Sequence, residues 1–353
     1  CAGGRVSVGV RVHDLTCVLH LHSLYSDGTG TVPEIARAAA GGRIDVVLLT
    51  DHDTLEARRR GEEGWHGNVL VLVGEEISPR GRDHYLAFGL DRHVRHRGRS
   101  ADEICRAVRE RGGFGFAAHP FSSGSRHFRR FRGMPFGALD SEALHGVEVW
   151  SIVTDTVERL PSVAAALRFA AAPRTVVDHP PQENLAEWDR LCRARRTVAV
   201  GGIDAHQFGR RLGPLVVRPM GYKRSFALLH THVLCREPMT GEVERDRDGV
   251  FEALREGRCY LAVDWIAPAR GFDFFAERDG ETLPMGAEAR AGGWTVRARL
   301  PLEADLRLVR DGDPILEARA AELEQDAPSP GVYRLEAQRE GRTWIVSNPV
   351  YLR

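Results

Sequence analysis

The chain has 353 residues, 42% hydrophobic and 28% charged, and its 49 basic and 49 acidic side chains cancel to a formal net charge of zero. That balance argues against a general nucleic-acid binder, which presents a basic surface. The length suits one large domain plus a small one, or two medium ones.

Lys223 is the single lysine, so nearly all positive charge is arginine. Cys1, Cys17, Cys105, Cys192, Cys235 and Cys259 are scattered, with no CxxC. This argues against a thiolate zinc site and against a dense disulfide framework. No apolar run approaches the roughly 20 residues that span a bilayer, so no transmembrane segment is expected. The sequence begins at Cys1 rather than Met. A processed lipoprotein would start this way and sit anchored in the periplasm of a bacterium. A trimmed cytoplasmic chain would look the same, so the compartment stays open.

Residues 1–13 form a Gly/Val-rich lead-in. The first strand is the apolar run Leu15 to Leu21, ended by the turn residues Ser26-Asp27-Gly28. Thr31-Val32-Pro33-Glu34 opens a helix through Ala40, with proline in its first turn. The second strand, Asp45 to Thr50, runs into Asp51-His52-Asp53. The third, Val69 to Val73, leads to Gly74-Glu75-Glu76-Ile77-Ser78, and the fourth is His84 to Gly89. Ser100 caps a helix over Ala101 to Arg111. Further strands are Phe114 to Ala118, ending at His119-Pro120, then Val147 to Trp150, then Thr197 to Val200, ending in Gly201-Gly202-Ile203-Asp204-Ala205-His206. Alternating strands and helices favour a parallel sheet, open or closed into a barrel. From about Arg270 the pattern changes to short alternating runs with Asp279-Gly280 and Asp311-Gly312 as hairpin turns. We read a domain at 14–265 and an all-β sandwich at 266–353.

Strand ends carry the chemistry. His20, His22, Asp27, His52, Glu76, His84, His119, Asp204 and His206 lie at or just past them, where loops of α/β folds build sites. His20 and His22 share one strand face. Any one of these histidines reads as readily as a core residue; the joint pattern does not. Six imidazoles and three carboxylates suffice for two or three divalent ions, with nitrogen and oxygen donors that suit Mn, Fe or Zn.

In these motifs the chain resembles the polymerase and histidinol phosphatase (PHP) superfamily of metallohydrolases. The motifs are His20-Leu21-His22-Ser23 with Ser26-Asp27-Gly28, Thr50-Asp51-His52-Asp53, Gly74-Glu75-Glu76-Ile77-Ser78, His84, Ala118-His119-Pro120 and Ile203-Asp204-Ala205-His206. The resemblance implies a distorted seven-stranded, TIM-like β/α barrel, usually with three metals. It implies that His20, His22, Glu76 and Asp204 hold the first metal. Glu76, His84 and His119 would hold the second, and Asp27, His52 and His206 the third. Several members carry histidine at the place of Asp27. Glu76 is preferred to Glu75 because it directly precedes Ile77-Ser78. The closing Trp344-Ile345-Val346-Ser347-Asn348-Pro349-Val350-Tyr351 resembles a carbaryl-hydrolase-like branch of that superfamily.

Asp53 reads as a general acid or, by preference, as a partner holding His52, and Glu148 is expected to support a ligand. Arg126, Arg129 and Arg130 follow His119 in a basic loop, read either as a phosphate clamp or as a solvated surface. His230-Thr231-His232 is flanked by apolar residues without an acidic motif and is read as strand packing; His179 is read as structural. The expected function is a metal-dependent hydrolase in which metal-bound hydroxide attacks a small-molecule ester, phosphorylated by preference. A carbamate or carboxylic ester hydrolase and a non-catalytic metal- or ligand-binding protein remain alternatives. The sequence has neither a GxSxG elbow nor a GxxxxGK[ST] loop.

Overall fold

The computed structural model describes residues 12–353 apart from 130, 208–209, 213–214 and 219, with backbone alone for 210–212 and 215–217. Most of the lead-in, Cys1 and Arg130 therefore lie outside the described residues.

The chain forms a mixed α/β fold around one large sheet. In chain order come β1 (His13–Leu19), α1 (Val32–Ala40), β2 (Val46–His52), α2 (Glu56–Arg59), β3 (Gly64–His66), β4 (Val69–Ile77), β5 (Tyr85–Phe88), α3 (Ala101–Glu110), β6 (Phe114–Ala117) and β7 (Gly146–Ser151). Next are α4 (Ile152–Arg159), α5 (Val163–Ala171), α6 (Gln182–Ala194) and β8 (Val198–Gly202). The short pair β9 (Arg210–Leu212) and β10 (Leu215–Val217) precedes α7 (Tyr222–Phe226), β11 (His230–Cys235), α8 (Val243–Glu256) and β12 (Cys259–Ala262).

The local signals act as their chemistry dictates. Thr31 and Ser100 each close a capping box, with Glu34 and Glu103 respectively, which satisfies otherwise orphaned first-turn N–H groups. Both faces of the strands are buried. Leu15, Cys17, Leu19, Val46, Leu48, Leu70, Leu72 and Leu86 share a cluster with Phe251 and Leu254 of α8. Their alternates Val47, Leu49, Val71, Val73 and Ala87 pack beneath Ile35 of α1, Ile104 of α3 and Trp188 of α6. Such two-sided burial explains the nearly unbroken apolar runs.

Strand order corrects one expectation. β1–β2, β2–β4, β6–β7 and β7–β8 are parallel, but β4–β5 and β5–β6 are antiparallel. The link 78–84 is too short for the crossover a parallel return requires. Beyond their ends the outer strands meet: Leu21 bridges Ala205 in parallel, and the Ile203 N–H donates to the Leu19 carbonyl (3.0 Å).

The C-terminal strands are β13 (Asp273–Arg278), β14 (Glu281–Pro284), β15 (Glu288–Ala289), β16 (Trp294–Arg310), β17 (Asp313–Ala327), β18 (Gly331–Arg339), β19 (Arg342–Ser347) and β20 (Val350–Leu352). Both Asp-Gly pairs make tight turns with positive φ at each residue: 50° and 84° at Asp279-Gly280, 55° and 97° at Asp311-Gly312. The two runs expected at 295–300 and 306–310 are one long strand with a register shift between Arg299 and Ala304. These strands enclose their own core, including Trp294, Leu308, Leu335 and Trp344, which also takes in Leu234 and Tyr260. Their sheet continues into the first through β12–β19, β11–β12 and β1–β11.

The second edge of β8 is satisfied largely by side chains. Buried Asn348 accepts from the Ala199 N–H (2.8 Å) and donates to the Ala199 carbonyl (2.9 Å) and the Cys259 carbonyl (2.8 Å). The Thr231 hydroxyl accepts from the Gly201 N–H and donates to the Gly201 carbonyl, both at 2.9 Å.

Two measurements follow. Asn348→Ala orphans backbone groups of β8 and β12, so chemical denaturation should report a loss of about 2–4 kcal/mol. Burial raises the Asp155 carboxyl to about 7 from its ordinary 3.8. Its contribution to stability is therefore full below about pH 4 and is lost as pH rises through 7. Unfolding across that range should show this decline in the native chain and a flatter profile in Asp155→Asn.

Candidate metal centre

Strand alternation brings the first side chains inward. Glu76 continues the face of Leu70 and Leu72, and His52 the face of Val46 and Leu48. Glu75 consequently points the other way, 2.6 Å from His93 Nδ1 and accepting from the Val94 N–H. Alternation alone breaks down at three donors. His20, His119 and Asp204 have positive φ of 62°, 31° and 52°, a conformation costly for non-glycine residues and concentrated at functional sites. There the chain leaves its strand and turns the side chain inward.

The result is one cluster around Glu76. Glu76 Oε2 lies 3.2 Å from His20 Nε2, 3.3 Å from His22 Nε2 and 3.2 Å from His52 Nδ1. Its Oε1 lies 2.7 Å from His84 Nδ1 and 3.4 Å from His119 Nε2. Asp204 Oδ1 is 3.4 Å from His20 Nε2, 3.5 Å from His22 Nε2 and 3.6 Å from His206 Nδ1. Asp27 Oδ1 is 3.1 Å from His206 Nε2, 3.6 Å from His52 Nε2 and 3.9 Å from His22 Nδ1. All of the donors singled out in the sequence thus converge. Their donor atoms fall into close sets: His20, His22 and Glu76; His20, His119 and Asp204; Glu76, His84 and His119; His22, Asp27, His52 and His206. The cluster opens on one side, where the Asp27 side chain is 50% exposed, while His20, His22 and Glu76 are buried.

The donor set fits divalent ions. His22 is fully buried, and among the described residues neither of its ring nitrogens has a hydrogen-bond partner of good geometry, nor has His119 Nδ1. The His22 nitrogens face Asp27, Glu76 and Asp204 without bonding them, which suits a shared cation. Burial alone would raise the Glu76 carboxyl, but the imidazoles, His20 foremost, outweigh it and hold the group well below the carboxylate range. Asp204 is lowered in the same way: burial would raise it, and His20, His22 and His206 together outweigh that. Both acids are therefore anionic acceptors.

Supporting residues fix the donors. Glu148 Oε1 lies 2.8 Å from His20 Nδ1, and Oε2 accepts from the His119 N–H (2.6 Å). Gly202 makes room for it: a Cβ there would lie 1.7 Å from Glu148 Oε1. Asp53 does not reach His52. It accepts from the Ser78 N–H (2.9 Å), and the Ser78 hydroxyl lies 2.6 Å from His52 Nδ1. Two partners escaped the sequence reading. Thr154 of α4 donates to Asp204 Oδ2 (2.7 Å). Asp51 accepts from the Ser23 N–H and hydroxyl and from the Ser26 hydroxyl, fastening the loop that carries Asp27.

Arg126 and Arg129 are exposed, and neither lines the cavity beside the cluster. His230 and His232 require a correction. His232 is bracketed by Asp14 (2.7 Å) and Asp264 (2.8 Å), and His230 Nδ1 lies 2.6 Å from Asp264. Burial opposes protonation of His232, but these hydrogen bonds win and raise it to about 9. The acids are distant in sequence, so no local motif announced them. His179 Nδ1 lies 2.9 Å from the Thr343 hydroxyl, a contact between the segment before α6 and β19.

Among known proteins, no family model and no curated protein matches the chain. Solved structures do. One is a two-domain protein from Bacteroides vulgatus containing a predicted PHP-like metal-dependent phosphoesterase, 17% identical, with a TM-score of 0.46, covering 99% of this chain and 100% of that one. The chain is similar to PHP-like proteins. A protein from Bifidobacterium adolescentis described as a metal-dependent phosphoesterase is 18% identical (TM-score 0.38; 57% of this chain, 92% of that one). An amidohydrolase from Chromobacterium violaceum is 17% identical (TM-score 0.30; 57% and 98%). Likenesses at this level carry no argument about activity, and none of these descriptions supports the carbaryl-hydrolase branch.

Glu148→Gln should weaken metal binding roughly 10–100-fold, since it loosens His20 and His119 without removing a ligand. Gly202→Ala should do the same through steric displacement of Glu148. Metal content of the purified proteins at graded free metal checks both; unchanged affinity would detach Glu148 from the site.

Proposed function

We propose that this chain is a metal-dependent hydrolase of phosphate mono- or diesters. The observation that carries the reading is Glu76, a buried carboxylate within 3.4 Å of five histidines from four separate parts of the chain. The nine donors would hold two or three divalent ions of Mn, Fe or Zn type, shared as His20, His22, Glu76 and Asp204; Glu76, His84 and His119; Asp27, His52 and His206. Ions so held supply Lewis acidity toward an ester oxygen and lower the pKa of bound water.

The protein's own part is positioning. Glu148 holds His20 by its ring and the His119 backbone by its N–H. Thr154 holds Asp204, and Ser78 holds His52. The exposed side at Asp27 admits ester and water, while the buried side around His20 and His22 excludes bulk solvent. We read the strands β1, β2, β4, β5, β6, β7 and β8 as a distorted barrel closed at Leu21–Ala205, with the β-sandwich beginning near residue 266 and Asn348 mooring it.

Carbamate or carboxylic ester hydrolysis is the second reading, favoured by the mostly apolar wall beside the cluster. Nitrophenyl phosphate, acyl and carbamoyl esters assayed with added Mn, Fe or Zn separate the two. Phosphate-ester turnover that a chelator abolishes is expected. Turnover of acyl or carbamoyl esters alone would replace the first reading with the second. A metal-loaded chain inert toward every ester would leave a binding protein.

A further inference from the structure

A cavity of about 590 Å³ opens directly from the donor cluster, with Asp204 and His206 in its wall. Its volume is that of a site for a whole small molecule, not for a phosphate group alone. Among the described residues, its surface away from the cluster is built from Phe128, Met134, Val157, Leu160, Phe169 and Met220. These come from the segment after His119, from α4 and α5, and from the entry to α7.

The polar groups of this wall are largely engaged within the protein. Thr154 donates to Asp204. Glu158 accepts from the Ser122 hydroxyl and the Ser123 N–H. Gln207 meets Thr29 and the Tyr222 N–H, and the Ser225 hydroxyl donates to the Met220 carbonyl. A sugar entering here would lose water and gain few partners, which is costly, and a polyanion would meet one guanidinium, that of Arg132. An apolar group entering here loses only its hydration, which is favourable. Arg126 and Arg129 are not in this wall; Arg132 is its one arginine among the described residues and is exposed, so the wall has a single guanidinium at its rim rather than the clustered clamp that a multiply phosphorylated substrate would use.

We infer that the substrate is the phosphate ester of a bulky apolar alcohol, with its phosphate at the Asp204–His206 end and its apolar group in the cavity. This rests on the hydrolase reading above and names its substrate class. The reaction consumes one water: the phosphorus–oxygen bond to the alcohol breaks, the water oxygen bonds to phosphorus, and a proton passes to the departing alcohol oxygen. The apolar wall lies where the alcohol would sit, so binding energy from the apolar group is available to orient the ester.

The test uses methyl-, butyl- and octylphosphonate, which cannot be hydrolysed, titrated calorimetrically into the full chain loaded with Mn. Affinity should rise with chain length, by up to about fourfold per methylene and at least roughly tenfold across the series. In Ala166→Trp, which fills the cavity from α5, and in Val157→Asp, which charges its wall, the octyl-to-methyl ratio should fall toward one. Two variants are used because either alone could fail to fold. Equal affinity across the series, or a ratio that survives in the folded variants, overturns the inference. Turnover of the matching alkyl phosphates separates this from the hydrolase reading. Turnover indifferent to chain length removes the apolar substrate and keeps the hydrolase. A length-dependent affinity without turnover of any ester removes the hydrolase and keeps an apolar ligand in the cavity.

Discussion

A negative charge taken out of water has to be compensated on the spot, and the centre of this molecule is arranged around that requirement. Glu76 sits at 1% exposure with imidazoles on every side. An isolated carboxylate there would shed its charge by taking up a proton. Histidines in or beside β1, β2, β5 and β6 prevent this, and they can do so only if those strands keep register. The left-handed backbone at His20, His119 and Asp204 belongs to the same requirement. Strain at each is tolerated because the surrounding hydrogen bonds, above all those of Glu148, over-determine the position.

What could be read from the sequence was whatever is local. Apolar runs marked the strands because both faces are buried, and Thr31 and Ser100 announced their helices through capping boxes. His20-Leu21-His22 and Asp204-Ala205-His206 declared themselves by their place at strand ends. Glu76 is preferred to Glu75 in the sequence for its place directly before Ile77-Ser78, and in the structure it continues the face of Leu70 and Leu72. What escaped depends on contacts far apart in the chain. Thr154 lies 50 residues from the Asp204 it holds, and Asp264 lies 32 from His232. Neither belongs to a motif, since the fold alone brings them together. Asp53 misled for the reverse reason: proximity in sequence suggested His52, but its positive φ of 51° turns it to the Ser78 backbone. The antiparallel run of β5 was hidden because strand direction follows from link length and packing, not from composition.

The cluster and the cavity divide the labour of recognition. The cluster offers charge and directional donors, and these are common to any ester of a given acid. The cavity offers shape and apolar area, which distinguish one alcohol from another. Its walls come from stretches that are not strands of the sheet, so the wall can be altered without disturbing the register on which the donors depend.

The edge of β8 carries a consequence of its own. Successive outward backbone positions of this strand and of Ile203 just past it are closed by Asn348, by Thr231 and then by Leu19 at the end of β1. Asn348 belongs to the C-terminal core, so a segment nearly 150 residues downstream acts as a splint for the strand that delivers Asp204 and His206. A shortened chain ending before that segment would leave the Ala199 N–H and carbonyl without their Asn348 partner, while Thr231 and β1 still close the positions after it. The strand would then be loose at its entry end and fixed at the end nearer the donors, so the tail braces the centre from behind.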